Sequence, residues 1–298
     1  MIRVLIVGAG DVARRLLSLL AATPSAFAVT ALARREETAD WWRRQGVRTI
    51  RADLDHRVGL KRLAGQAEWV VHLAPPPAEG PGDPRTRNLL AALESGGRLP
   101  QRLVYISTTG VYGDHGGGRV DESTPGRAST DRALRRVDAE AQVRLFARRT
   151  GCRVSILRVP GIYAGDRLPV ARLQAGTPAI EAADDSYTNH IHADDLARSI
   201  VATFRRGRCN RAYNTVDDSA MKMGDWFDAV ADATGHARPA RLPRDEVKRA
   251  VSPAMWSYLA ESRRIGNRRL KRELGLRLRY PTVREGLTAA KNNRTRSA

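Results

Sequence analysis

The sequence predicts an α/β chain: a doubly wound, Rossmann-type parallel sheet with helices on both faces, followed by a smaller C-terminal α+β part that binds substrate. Three observations carry this. The first half alternates short β-branched or apolar runs with stretches of helical period. The first of these runs passes directly into a glycine-rich turn that opens a helix. After residue 160 the rhythm gives way to loops interrupted by proline and glycine. The 298 residues suffice for a full core, and the change of rhythm divides the chain into 1–160 and 161–298, with segments of the second part returning to the sheet.

The strands are "IRVLIV" (2–7), "FAVTALA" (27–33), "GVRTI" (46–50), "EWVVHLA" (68–74), "RLVYIS" (102–107) and "RVSILRV" (153–159), each β-branched or apolar and too short for a helix. Between them, "DVARRLLSLLAA" (11–22), "EETADWWRRQ" (36–45), "VGLKRLA" (58–64), "PRTRNLLAALES" (84–95) and "DRALRRVDAEAQVRLFARR" (131–149) place apolar residues at helical spacing. Beyond 160 come a strand-like "YTNHIH" (187–192), a helix "ADDLARSIVATFRR" (193–206), a strand "RAYNTV" (211–216) and then mostly helix. The polar end "AAKNNRTRSA" (289–298) is expected to fray. This second part should lie over the carboxyl ends of the strands, where open α/β sheets bind ligands. In "NHIH", His190 and His192 are expected to face opposite ways, and Asp194 and Asp195 to cap the helix that follows. Trp41, Trp42 and the segment "SPAMWSYLAE" (252–261) read as core or subunit contact, with Met255 or Trp256 as alternatives for the substrate cleft.

The charge balance is +19, from 51 basic and 32 acidic residues. Only five of the basic residues are lysines (51 − 5 leaves 46 arginines), a skew that GC-rich codons produce without any function. Residues 236–298 hold seventeen of the basic residues against five acids. A solvated basic surface is favoured over a nucleic-acid partner, because no binding motif accompanies the arginines and no aromatics are interleaved with them. Cys152 and Cys209, read in separate strands, suggest neither a disulfide framework nor a metal site. No apolar run approaches the roughly 18 residues of a spanning helix, so a cytoplasmic protein without a signal peptide or membrane contact is expected.

The turn after the first strand reads Gly8-x-Gly10-x-x-Ala13. Gly8 permits the tight turn, Gly10 lets backbone approach a pyrophosphate, and Ala13 keeps helix and sheet close. The amides of Asp11, Val12 and Ala13, at the helix N-terminus, face the anion. At the end of the second strand, an acid would bind the ribose 2′-hydroxyl of NAD, whereas "ALARREE" supplies Arg34 and Arg35. Two guanidiniums suit a 2′-phosphate, so NADP(H) is expected over NAD(H).

With "GAGDVA", "ADL" (52–54), "VVHLAPP" (70–76), "YISTTGVYGD" (105–114), "VDESTP" (120–125), "ILRVPGIY" (156–163), "NHIHADDLA" (189–197) and "RLKRELG" (269–275) in order, the chain resembles the extended short-chain dehydrogenase/reductase superfamily, in its epimerase/dehydratase branch. The likeness covers nearly the whole chain. It implies that Asp53, with Leu54, contacts the adenine, that Leu73, Ala74 and Pro75 line the cofactor, and that Pro160 lies beside the nicotinamide. It makes Thr108 the hydroxyl that holds the substrate oxygen, Thr109, Asn189 and His190 substrate contacts, and a small molecule the partner. A homodimer through two helices flanking the sheet, 131–149 among them, is also implied.

The same resemblance requires a Tyr-x-x-x-Lys pair on the 131–149 helix, in which the tyrosine passes a proton as hydride moves and the lysine lowers its pKa. Counting back from Glu140 puts Arg132 at the tyrosine and Arg136 at the lysine. Arg136 retains the chemistry to hold the cofactor ribose. Arg132 has no acid–base use, since guanidinium stays protonated. This departs from the superfamily's pattern and aligns the chain with its atypical, epimerase-like members. Tyr112 and Tyr163, in loops at the carboxyl edge of the sheet, are candidates for the missing proton. Two functions compete: an NADP(H)-dependent oxidoreductase or epimerase-like enzyme on a small hydroxy or carbonyl compound, such as a sugar nucleotide, and a non-catalytic dinucleotide sensor that contacts a protein or nucleic acid.

Overall fold

The computed structural model describes residues 1–23 and 25–297, with side chains described as far as Lys291. Seven strands form the central sheet: β1 (Ile2–Val7), β2 (Phe27–Ala33), β3 (Arg48–Arg51), β4 (Trp69–His72), β5 (Arg102–Thr108), β7 (Arg153–Val159) and β12 (Arg211–Asn214). Their order is β12-β7-β5-β4-β1-β2-β3, and every neighbouring pair is parallel. This is the doubly wound Rossmann-type fold expected from the alternation of runs. Four two-stranded ladders complete the strands: β6 (Arg119–Val120) with β15 (Arg264–Ile265), β8 (Gly161–Tyr163) with β11 (His190–His192), β9 (Ala179–Ile180) with β14 (Arg241–Leu242), and β10 (Tyr187–Thr188) with β13 (Met221–Lys222).

The helices are α1 (Asp11–Ala21), α2 (Glu36–Arg44), α3 (Pro84–Glu94), α4 (Asp131–Thr150), α5 (Val170–Gln174), α6 (Ala193–Arg206), α7 (Met223–Thr234), α8 (Arg244–Ala250), α9 (Pro253–Leu259), α10 (Arg268–Leu274) and α11 (Val283–Ser297). Alternation along β1 sends Val4 and Ile6 to one face and Leu5 and Val7 to the other. The first face packs with Leu16 and Leu20 of α1, Trp42 of α2, Leu196, Ile200 and Phe204 of α6 and Leu270 of α10. The second packs with Leu89 and Leu93 of α3 and Ala139, Val143 and Phe146 of α4. Leu196, Ile200 and Phe204 recur every four residues, the stripe that presses α6 onto the sheet. Phe204 stacks on Trp69 with ring centroids 5.0 Å apart, and truncating it to alanine should cost about 3–5 kcal/mol.

The second part contributes two pieces to this body, α6 on one face and β12 at the edge of β7. Its own apolar centre joins Tyr163, Trp226, Phe227, Val230 and Leu287, and a smaller one joins Ile180, Val247 and Leu259.

Four local expectations need correction. The run 58–64 is only a one-turn 3-10 segment, Leu60–Leu63, because Gly59 takes φ +87° and Gly65 φ +67°, left-handed values that stop a longer helix. The polar end 289–298, expected to fray, continues α11 as far as Ser297. His190 and His192 do not face opposite ways; both are buried, and both rings lie edge-on to Tyr163. Residues two apart on a strand share a face. Asp194 and Asp195 sit in the first turn of α6, but the cap is His192, whose Nδ1 accepts from the Asp194 amide at 3.2 Å. Asp194 binds Arg15, and the buried Asp195 accepts from the amides of Arg279 and Tyr280, so both carboxylates are spent on distant segments. Cys152 immediately precedes β7 and Cys209 lies in the connection before β12; both are free thiols.

Candidate functional site

The strand order reverses between β1 and β4, and their carboxyl ends open the crevice in which such sheets take ligands. Gly8 closes the turn after β1 with φ +100°, and a Cβ there would lie 2.5 Å from the Ala74 amide nitrogen. Gly10 differs: a Cβ there would meet no atom within 4 Å. The space beside Gly10 is therefore open backbone-facing volume, the cradle a pyrophosphate needs. No side chain caps α1, so its first amides remain donors for an anion. Val12 and the fully buried Ala13 pack into the core below, which seats the helix tightly on the sheet. The Asp11 carboxylate turns away to Arg15 and Arg167.

A cavity of 290 Å³ runs from this loop across the ends of β1, β2 and β3, lined by Gly8, Gly10, Arg34, Arg35, Asp53, Leu54, Ala74 and Pro75. Leu73 hangs behind the wall, packed against the core while its amide binds the Val7 carbonyl. Arg34 and Arg35 have no ion-pair partner among the described residues, although nearby Arg43 and Arg51 both bind Glu36 and Arg85 binds Asp55. Arg85 also lines the cavity and fixes its rim, donating to the Pro75 and Pro76 carbonyls at 3.2 Å. Its hydrogen bonds pull the Asp55 carboxyl below the usual range. Sequence reasoning missed Arg85; its signal was the Asp-Pro-Arg start of a helix at 83–85, six residues beyond "APPP". It also missed Trp42, whose buried indole donates to the Ala9 carbonyl at 3.3 Å and braces the glycine loop.

A second cavity, of 520 Å³, lies between the ends of β5 and β7 and the second part of the chain, with Thr108, Thr109, Pro160, Asn189 and His190 on its walls. Thr108 Oγ1 accepts from the Gly110 amide at 3.2 Å, capping a one-turn helix, and its own hydroxyl proton has no acceptor among the described residues. Asn189 is occupied at both ends, donating to the Arg263 carbonyl and accepting from the Ile265 amide. The His190 ring lies 4.1 Å from that of Trp226, and burial pushes its pKa down to about 3, so it is a neutral imidazole. Its Nδ1 is buried without a partner.

The two candidate tyrosines lie off both cavities. Tyr112 is fully buried and donates to Asn214 Oδ1 at 2.7 Å. Tyr163 is 1% exposed and reaches the Thr282 carbonyl at 3.3 Å. Burial raises both hydroxyls' pKa values. α4 contains no tyrosine or lysine. Arg132 lines the 520 Å³ cavity, donates to Ser257 Oγ and the Ser257 carbonyl at 3.0 Å, and lies 3.3 Å over the Tyr258 ring. Arg136 turns into the sheet instead, donating to Tyr105 Oη at 3.0 Å and the Ile106 carbonyl at 2.9 Å, and lines neither cavity. The other arginines of α4 are not all solvated as expected: Arg135 holds the Gly80 carbonyl and Arg144 that of Asn210, so charge on this helix ties it to its neighbours. Glu140 is the buried anchor beneath, accepting from Ser107 and from both ends of the Arg158 guanidinium. Among the described residues no three His, Cys, Asp or Glu side chains come together as a metal site, and no helix is long and apolar enough to cross a membrane.

A parallel sheet of this order with an uncapped helix behind a glycine turn defines a dinucleotide-binding α/β protein. The chain belongs to the NAD(P)H-binding family, which it matches over residues 8–206. Solved epimerases and dehydratases have the same fold. UDP-glucuronic acid 4-epimerase from Bacillus cereus, solved with NAD, is 17% identical, with a TM-score of 0.76 over 99% of each chain. UDP-glucose 4-epimerase from Thermotoga maritima, solved with UDP-glucose, is 17% identical, with a TM-score of 0.78 over 99% of each chain. A conserved protein of unknown function from Silicibacter pomeroyi is 28% identical, with a TM-score of 0.82 over 98% of this chain and 99% of that one. Among curated proteins, 3-diazoavenalumate denitrifying reductase from a Streptomyces species is 28% identical over 172 residues, which are 56% of this chain. The chain thus matches about half, 55%, of the length of that reductase.

Proposed function

We propose that the protein is an NADP(H)-dependent reductase of a small carbonyl compound, or of a comparable hydride acceptor. The observation that carries the cofactor choice is the pair Arg34 and Arg35, unpaired at the rim of the 290 Å³ cavity where a ribose 2′-phosphate would lie. Bidentate guanidinium–phosphate hydrogen bonds favour the phosphorylated cofactor. The open space at Gly10 and the free amides of α1 suit the pyrophosphate, and Asp53 and Leu54 flank the adenine end. The reductase name of the Streptomyces relative supports a reaction of this direction.

NADPH would supply a hydride to the substrate carbon. Thr108 donates its free hydroxyl proton toward the substrate oxygen, steadying the negative charge that develops there. Arg132, in place of a tyrosine, orders the cleft wall and transfers no proton. Pro160 and the Thr109 backbone close the wall beside the reacting carbon. The proton that completes the alcohol comes from solvent relayed by Thr108, so the balance is one hydride and one proton added across the C=O bond.

The test is twofold. Titration should show NADPH bound about tenfold or more tightly than NADH, a preference lost in the Arg34→Ser, Arg35→Ser double variant. Steady NADPH oxidation on a carbonyl panel should fall on the order of a hundredfold in Thr108→Ala, the scale set by loss of one oxyanion donor. Tight binding with no turnover on that panel would instead favour the second reading, a non-catalytic dinucleotide sensor, for which the arginine at the tyrosine position speaks.

A further inference from the structure

Inside the 520 Å³ cavity the charges are unevenly matched. Arg263 is compensated by Glu261 at 2.7 Å. Arg132 and Arg172 line the same space and have no carboxylate within ion-pair distance among the described residues. His190 adds no charge, being neutral. Arg172 is the less satisfied of the pair. One of its donors reaches only the Met255 sulfur, at 3.0 Å, and another the Pro178 carbonyl. A thioether is a weak acceptor, so a half-buried guanidinium keeps room for a stronger one. Burial drags its pKa down to about 10.

Both cations line the same cavity and both bind α9. Arg132 grips Ser257 and Arg172 grips Met255, both on α9, two residues apart. Aromatic rings lie next to them: Phe227 is 3.9 Å beneath the Arg172 guanidinium, Tyr258 lies beneath Arg132, and Trp226 backs His190. Such rings offer apolar contact to an aryl group beside the two cations.

We infer that the cleft takes an aromatic carboxylate, its ring stacked among Tyr258, Phe227 and Trp226 and its carboxylate held between Arg132 and Arg172. The inference rests on the reductase reading for the neighbouring chemistry, but the binding claim is separable from it. The carboxylate replaces the thioether as acceptor for Arg172 and fills the open donors of Arg132, making ion pairs that a neutral isostere cannot.

The experiment is calorimetric titration of the NADPH-loaded protein with cinnamate and 2-naphthoate, each against its primary amide, and with UDP-glucose and inorganic phosphate. The acids should bind about tenfold or more tightly than the amides. That advantage should vanish in Arg172→Gln and, independently, in Arg132→Gln, with NADPH affinity and melting temperature kept as controls for folding. Equal affinity for acid and amide overturns the inference without touching the cofactor reading. So does UDP-glucose or phosphate binding in preference to every aryl acid. Failure of the native protein to bind NADPH strikes the reductase reading alone, and the acid-against-amide comparison is then made on the free protein.

Discussion

Gly8 and Gly10 sit two positions apart in one turn, yet alanine should act on them in opposite ways. At Gly8 the added methyl would press into the Ala74 backbone in a left-handed conformation, so Gly8→Ala is expected to cost roughly 2 kcal/mol or more in stability, read from urea unfolding. At Gly10 the methyl enters open space. Gly10→Ala should therefore leave the melting temperature in place while weakening NADPH binding by about tenfold or more. Asp217 makes a residue-scale prediction of another kind. Burial pushes its carboxyl up to about 8, and one of its oxygens has no partner. A raised folded-state pKa means that the native chain keeps a proton the unfolded chain releases above about pH 4. The stabilisation is whole below that pH and is lost as pH rises through about 8. Asp217→Asn should flatten this loss, so that urea midpoints measured from about pH 5 to pH 9 fall less in the variant. His72 and His190 set the opposite limb: their pKa values are lowered to about 3 by burial, so they favour the fold above about pH 6.5 and withdraw that support in acid.

At the scale of elements, the glycine loop is held from the side by α2. Trp42→Phe keeps most of the packing and removes only the hydrogen bond to the Ala9 carbonyl. It should lower stability by about 1 kcal/mol and weaken NADPH binding more than a distant core change of equal cost, a comparison made with Phe146→Leu on the opposite face. This support was not legible in the sequence. A pair of tryptophans in a helix reads as core, and the partner is a backbone oxygen 33 residues away. The cofactor loop itself was legible because its constraints are local: turn, close approach and helix start fall within six residues. The ends of β1, β2 and β7 were legible for the same reason, since an apolar run declares its own length, whereas β5 runs one residue further, to Thr108. Sequence reasoning gives the histidines of "NHIHADDLA" opposite faces although residues two apart on a strand share one, and it reads the aspartates as caps because their partners, Arg15 and the 279–280 amides, lie far off in the chain. Arg172 gave no signal, although Met255, which it binds, is an alternative for the cleft in the sequence and lines it. They lie in the loop-rich second part, where three distant segments assemble one wall.

For the whole molecule, the sequence shows the sheet and that part of the second half returns to it, but not which strand does so. The strands β1 to β5 and β7 follow from alternation of strand and helix, whereas β12, which returns to the edge of β7, looks no different from the other short runs after 160. The same scale carries the question of assembly. Leu134, Val137 and Leu145 are 39%, 41% and 45% exposed on one side of α4, and that side would be covered in the homodimer the resemblance implies. Sedimentation equilibrium should find a dimer in the native protein and a monomer in Leu145→Arg, with NADPH binding retained in both. The position of β12 has a further consequence, for synthesis of the chain. Until residue 214 has left the ribosome, β7 offers a bare, apolar strand edge, "RVSILRV", to any other nascent chain. The second part therefore acts as an internal guard on the first: a product ending near residue 160 should precipitate on expression, whereas one ending just beyond α6 and β12 has its edge sealed.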